Sequence, residues 1–363
     1  MTKKIFIAAT RQNDGKTSVS LGLLHAFQKR FSKIAYMKPV GQQFKWIEGE
    51  KIDKDAVLFK HVYGLEDPLS LMSPVAVPPG FTENYIENPN REELSEKISS
   101  AFEQLSIGKD LVVVEGTGHG GVGSVFDLSN ADVAHLLGTK VILVTLGGIG
   151  KAIDEVMLNK PLFESKGCEI MGVIINKIQK EKYDKINAVL HKGFERLNIP
   201  ILGMIPFKKS LAKPTIAQLF EDLDAELLSG QSALSNKVSA FIIGAMLPHD
   251  AMDYLTEDTL LILPANREDL IMMALCGAML GEQVSYRVSA IIFTGGIRPD
   301  KRMMNLITHS KMPTMLVQED SFSVATKINK MLFKLRAEET DKIDMLQSLI
   351  ETYVDVDAIC NLL

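Results

Sequence analysis

Apolar residues along this chain fall into two alternating patterns. Some form short continuous runs, and others recur at helical spacing. KIFIAA, KIAYMKPV, DLVVVEG, KVILVTL, EIMGVIINKI and IPILGMIPF are runs of the first kind. Continuous apolar runs of this length suit strands buried on both faces, as in a parallel sheet. SVSLGLLHAFQKRF instead repeats its apolar residues with the period of a helix, and the segments between runs can serve as crossover helices. The alternation predicts a doubly wound parallel α/β domain.

A basic segment with a proline, FKKSLAKP, closes that series. TIAQLFEDLDAELLSG then reads as a helix ending at Gly230. AFIIGAML, TLLILPA, SAIIFTGG and TMLVQED form a second set of strands, with REDLIMMALCGAML as a helix among them. We therefore expect two domains, residues 1–208 and a second, smaller α/β domain at 209–363. The last stretch, AEETDKIDMLQSLIETYVDVDAICNLL, has amphipathic helical spacing. It is assigned to the second domain, packed on it, with a dimer contact as the alternative. EDPLSLMSPVAVPPGFTENYIENPNR is a long proline-rich excursion in the first domain, either a lid or a surface loop.

Composition narrows the class. The 363 residues are 46% hydrophobic and 23% charged, as in an ordinary folded domain. A net charge of -5, with Lys and Arg dispersed, argues against a nucleic-acid groove or an anionic membrane as partner. Cys168, Cys276 and Cys360 lack the spacing of a zinc site or a disulfide framework and read as small apolar residues in a reducing compartment. MTKKIFIAAT is too short for a signal peptide, and no run approaches the ~20 apolar residues of a membrane span. The expectation is a cytoplasmic protein.

Candidate chemistry begins in AATRQNDGKTSVS. Gly15-Lys16-Thr17 ends a strand–loop–helix as a phosphate loop does. Backbone N–H groups and a helix N-terminus converge there on an anion. Lysine reaches the outer phosphates, and the hydroxyl of Thr17 holds magnesium. Glu115 ends the apolar run DLVVVEG, where a metal-coordinating acid belongs. His119 lies in the glycine-rich GTGHGGVG that follows, as a solvated side chain or a catalyst.

AATRQNDGKT, MKPVG, DKDAVLF, VVVEGTG and VIINKI occur in the order found in dethiobiotin synthetase. Residues 1–208 therefore resemble that enzyme and the N-terminal domain of long phosphate acetyltransferases. The family loop is similar to G-T-x-x-x-x-G-K-T, so its first glycine falls at Ala9, which would lose freedom if a positive φ were needed. The resemblance implies ATP and Mg2+ as cofactors and a homodimer. It implies a phosphate cradle of Asn13, Asp14, Gly15, Lys16, Thr17 and Ser18, with Thr17, Asp55 and Glu115 serving magnesium. Lys16 and Lys38 would be catalytic, Lys38 at the transferring phosphate. Asn176 would read the purine edge beside the Pro206 turn, and Gln179, where GTP-binding proteins carry aspartate, favours ATP over GTP. Arg11 occupies the position of the signature lysine in the MinD and nitrogenase-iron-protein group, which acts across a dimer. A plain surface arginine is the alternative.

The second half resembles the DRTGG domain through Arg267 and Thr294-Gly295-Gly296, with Asn266 in the place of the aspartate. The TGG segment reads either as an anion cradle or as a plain tight turn. Two functions follow. One is a Mg-ATP-dependent ATPase, ligase or synthase acting on an unknown small-molecule acceptor. The other is a non-catalytic nucleotide- or metabolite-sensing module. Dethiobiotin synthesis itself is not expected, because TRQND and GTGHGG differ from that enzyme's substrate side. Nor is phosphate acetyltransfer by these 363 residues alone, because that activity needs a further catalytic domain.

Overall fold

A computed structural model describes residues 2–283, 286–331 and 333–363. Contacts divide the chain into two compact units, one of residues 1–208 with 335–363 and one of 209–334.

In the first unit the six apolar runs form strands β1 (Lys3–Ala9), β2 (Ile34–Met37), β3 (Leu111–His119), β4 (Lys140–Leu146), β5 (Ile170–Ile178) and β6 (Ile201–Pro206). They pair in the order β6-β5-β4-β1-β3-β2, all parallel. Strand β1 is central, and the strand order reverses beside it, so its C-terminal end opens into the crevice where ligands of such sheets lie. Three helices position the site: α1 (Lys16–Gln28), α2 (Lys54–Tyr63) and α3 (Ile149–Ser165). The proline-rich excursion is built rather than featureless. It holds a helical turn at Leu69–Met72, a short strand Val75–Ala76 paired with Val40–Gly41, and a helix at Phe81–Glu87.

The second unit carries α4 (Ile216–Asp222) and strands β7 (Glu226–Ser229), β8 (Ala240–Ile243), β9 (Thr259–Pro264), β10 (Val288–Thr294) and β11 (Thr314–Leu316). Their order is β7-β11-β10-β9-β8, with β7 antiparallel and the rest parallel. The expected helix up to Gly230 is thus half strand. Asp224 turns left-handed at φ 49° and ends the helix, after which ELLS pairs with β11. Helices α5 (Pro248–Met252), α6 (Glu268–Leu280) and α7 (Lys301–Ser310) pack on one face of this sheet, and α4 and α8 (Ser321–Lys330) on the other.

The C-terminal helices α9 (Thr340–Tyr353) and α10 (Val356–Leu362) depart from expectation. They pack on the first unit, not the second. Two glycines explain why. A Cβ on Gly22, in the middle of α1, would stand 2.2 Å from Ile350 Cγ1, and one on Gly203 of β6 would stand 2.6 Å from Val354 Cγ2. These gaps let α9 lie close against α1, burying Ile343, Leu346, Leu349 and Ile350. Glycine inside a helix costs about 1 kcal/mol relative to alanine, which this burial offsets.

Candidate nucleotide site

The loop between β1 and α1 is shaped by two left-handed residues, Asn13 (φ 70°) and Gly15 (φ 93°). Ala9, at the expected glycine position, is a buried strand residue and is not among the positive-φ positions, so alanine costs nothing there. Gly15 is required on two counts. Its φ disfavours any side chain, and an added Cβ would stand 2.3 Å from Asn176 Nδ2.

A buried polar cluster supports the loop from behind. Thr10 Oγ1 lies 2.8 Å from Asp14 Oδ2, 3.0 Å from Thr145 Oγ1 and 3.1 Å from Glu155 Oε2. The Arg11 N–H also donates to Asp14 Oδ2 at 2.8 Å. Burial pushes the Asp14 carboxyl up, against the hydrogen bonds from Thr10 and Arg11 that favour its ionised form. Arg11 Nε pairs with Glu155 Oε1 at 2.7 Å within the same chain, although the arginine side chain is 59% exposed. Asn159 donates to Thr10 O and accepts from the Gly120 N–H, tying the phosphate loop to the glycine-rich loop after β3.

In front of the loop, four expected residues converge although they lie far apart in sequence. Thr17 Oγ1 donates to Glu115 Oε1 at 2.9 Å. Lys38 Nζ lies 2.8 Å from that oxygen, 2.9 Å from Asp55 Oδ2 and 3.0 Å from Gly116 O. Lys38, Asp55 and Glu115 are all buried. Burial by itself would lower the Lys38 pKa, but the Asp55 and Glu115 carboxylates prevail and hold it above the usual lysine range. Lys38 N–H donates to Met72 O at 2.7 Å, so the proline-rich excursion positions this lysine. Lys16 is the opposite case. Burial and the charge of Lys38 lower its pKa to about 8, and its Nζ donates to Gly118 O at 3.2 Å.

Fitness for magnesium can be judged from the donors. Among the described residues Glu115 Oε2 is buried without a well-formed hydrogen bond, near the Tyr36 hydroxyl, beside the Thr17 hydroxyl and across Lys38 from Asp55. An orphaned carboxylate oxygen of this kind is costly unless something occupies it. Among the described residues no three His, Cys, Asp or Glu side chains form a metal cage. Magnesium rarely uses one; it takes one or two carboxylates and completes its shell with waters and phosphate oxygens. The all-oxygen set therefore fits.

Asn176 and Pro206 end the neighbouring strands β5 and β6, with the Phe207 N–H bonded to Ile178 O at 2.7 Å. Asn176 is committed to the loop, its Nδ2 donating to Asp14 O at 2.9 Å. Lys177, left-handed at φ 56°, joins it by donating to Asn13 O at 2.8 Å. Ser18 sits half-buried in the first turn of α1. His119 is exposed, and its Nδ1 accepts from the Gly121 N–H within the same loop. Sequence reasoning missed Thr10, Thr145, Glu155, Asn159 and Lys177. One signal was present: Glu155 and Asn159 interrupt the apolar stripe Ala152, Val156, Phe163 on the buried face of α3.

The second-domain candidates are already occupied. Arg267 donates to Gly244 O and Met246 O, each at 2.7 Å, and pairs with Asp269. Thr294 Oγ1 meets Ser321 Oγ at 2.8 Å. Gly295 and Gly296 are left-handed, and their N–H groups donate to Glu319 O and Val317 O. The TGG segment is thus a turn whose two glycine N–H groups are bonded to backbone carbonyls, as in the plain tight-turn reading.

A central strand, a left-handed glycine, a helix opening on Lys-Thr and a buried acid within the neighbouring strand β3 define the first unit as a P-loop domain. Residues 3–215 match the AAA domain family AAA_26, and the chain belongs to that family; residues 218–331 match the DRTGG domain. Curated relatives are phosphate acetyltransferases. That of Nitratidesulfovibrio vulgaris is 25% identical over 365 residues, covering 98% of this chain and 51% of the relative. That of Escherichia coli is 21% identical over 384 residues, covering 98% and 52%. The chain spans about half the length of the curated relatives it matches. Among solved structures, MinD from Pyrococcus horikoshii complexed with Mg-ADP is 16% identical at a TM-score of 0.35, covering 58% of this chain and 84% of that one. The CBS and DRTGG domains of Clostridium perfringens pyrophosphatase, complexed with the activator diadenosine tetraphosphate, give 18% identity and 0.26, covering 38% and 66%.

Proposed function

We propose that the first unit binds Mg-ATP at the loop Ala9–Thr17 and transfers its γ-phosphoryl group to water or to a carboxylate or carbamate acceptor. The observation that carries this reading is the buried chain Thr17–Glu115–Lys38–Asp55 in front of a phosphate loop. Its fixed charges need no rearrangement to stabilise charge developing on a phosphoryl group. Lys16 would contact the outer phosphates, and Lys38, protonated throughout the neutral range, would face the transferring group. Thr17, Asp55 and Glu115 would hold magnesium, which when bound neutralises charge on the phosphate oxygens. Loop residues Asn13, Asp14, Gly15 and Ser18 would contribute their backbone N–H groups, and Asn176 and Pro206 would border the purine. A cytoplasmic location belongs to the same proposal; among the described residues no helix is long and apolar enough to cross a membrane.

A second reading, a nucleotide-sensing regulatory module, is favoured by one observation. Residues 218–331, beyond the phosphate-loop unit, match the DRTGG domain. Calorimetry with Mg-ATP and Mg-ADP, together with a phosphate-release assay, separates the two. Steady hydrolysis that Lys16→Ala lowers by roughly 100-fold or more supports the transfer reading. Tight binding without turnover, with or without acceptors, supports sensing. Failure to bind any adenine nucleotide with magnesium rejects both.

A further inference from the structure

Helix α6 in the second unit, EDLIMMALCGAML, has no charged residue after Asp269. Leu270, Ile271, Met273, Ala274, Leu275 and Gly277 face the core of that unit. The opposite side is also apolar: Met272, Cys276 and Met279 follow at i, i+4 and i+7, with Leu280 beside them, all exposed. A helix that is apolar all round belongs in an interior. The neighbouring α5 segment, packed against α6, adds exposed Leu247, Met252 and Tyr254. Exposure of these side chains runs from 40% for Met272 to 81% for Met279.

We infer that this face of α6 is a docking surface for a second copy of the chain, the two α6 helices packing antiparallel about a two-fold axis near Cys276. Area is the first argument. The exposed apolar residues present roughly 700 Å2, against about 800 Å2 per partner in a standard stable interface and a few hundred for ordinary surface patches. Symmetry is the second. The stripe is uncharged along its whole length and centred near Cys276, so it is self-complementary under a two-fold operation. A heterologous partner would have no need of a stripe centred in this way. Methionines let the two faces fit without fixed rotamers.

Cys276 is a built-in reporter. On an isologous axis the central residue meets its own copy, so copper phenanthroline should join the two Cys276 thiols. One S–S bond forms, two electrons pass to the copper oxidant and two protons to solvent. We expect the full chain, of 40.1 kDa, to sediment at twice that mass. Met272→Glu and Met279→Glu should each raise the dimer dissociation constant at least about tenfold. Phe322→Glu, exposed on the opposite face of the sheet, should leave it unchanged. The covalent dimer should vanish in Cys276→Ser while the sedimentation mass of that variant stays doubled. A chain that stays monomeric at ~100 μM, well above the dissociation constants of stable homodimers, overturns the inference. So does a dimer indifferent to both glutamates and without a Cys276 crosslink. Should a glutamate variant misfold by circular dichroism, the crosslink in the native chain decides alone.

Discussion

Each of the two units is built on a sheet of parallel strands, yet their interiors differ in kind. The first buries Asp14, Lys16, Lys38, Asp53, Asp55, Glu115 and Glu155 around the end of one strand. In the second, among the described residues, every buried polar side chain is uncharged: Thr215, Gln218, Thr259, Ser289, Thr294 and Thr314. Topology accounts for much of this. In the first sheet the chain order reverses at β1, the place where open sheets of this kind leave a crevice for a ligand. In the second, β8, β9, β10 and β11 follow one another in sequence, so no such reversal opens among its parallel strands. There the glycine turn closes on its own backbone. Buried charge is expensive without a partner. The contrast thus separates a unit with a buried charge network from one held together by apolar packing.

The largest expected effect comes from breaking the charge network. Lys38→Met leaves Asp55 and Glu115 buried without their shared cation and should cost about 3–5 kcal/mol, read from denaturant unfolding. An unchanged midpoint would mean the carboxylates are solvated and the contrast between units is weaker than drawn. Next, Gly15→Ala drives a Cβ into Asn176 at a left-handed position. Such strain costs on the order of 1–3 kcal/mol, and calorimetry should find nucleotide affinity reduced more than stability.

The two lysines predict opposite responses to pH. For Lys16 the folded pKa, about 8, lies below the ordinary lysine value of 10.5. Below pH 8 it is protonated folded and unfolded, and the cost of burying its charge is fully present. Between pH 8 and 10.5 the folded state sheds the proton first, so stability rises. Phosphate needs the protonated form, so nucleotide affinity should fall above pH 8, approaching about tenfold per pH unit. For Lys38 the folded pKa is raised, so its contribution is present below the unfolded value and is lost only as pH rises through the raised one. A flat affinity profile between pH 7 and 9.5 would remove Lys16 from the binding step. The smallest effect is in the second unit. Arg267→Gln should destabilise that unit by about 1–3 kcal/mol through the lost bonds to Gly244 and Met246, leaving Mg-ATP affinity in the first unit unchanged.

Much of the first unit was legible residue by residue. All six strands appear where the apolar runs lie, and Gly15, Lys16 and Thr17 stand at the expected turn and helix start, whereas the strand expected to end at Glu115 runs on to His119. The rest was hidden for identifiable reasons. ELLS has helical neighbours and became a strand because β11 offered an edge. The last two helices were given to the wrong unit because amphipathicity names a buried face but not its partner; the clue was Gly22, a glycine in the middle of a helix. Lys177 lies within VIINKI and the Glu155–Asn159 pair breaks an apolar stripe, but only the hydrogen bonds show that they brace the loop.

Sequence by itself determined the local conformations: the apolar period of each strand, the phosphate loop and its glycine. These depend on neighbours a few residues apart, through sterics and hydrogen bonds that act along the chain. Tertiary structure decided which charges meet. Lys38, Asp55 and Glu115 are separated by 17 and 60 residues and share one buried point because the end of β2, the first turn of α2 and the middle of β3 meet there. Their protonation states follow from that meeting, since desolvation and Coulomb energy depend on distance in space and not along the chain.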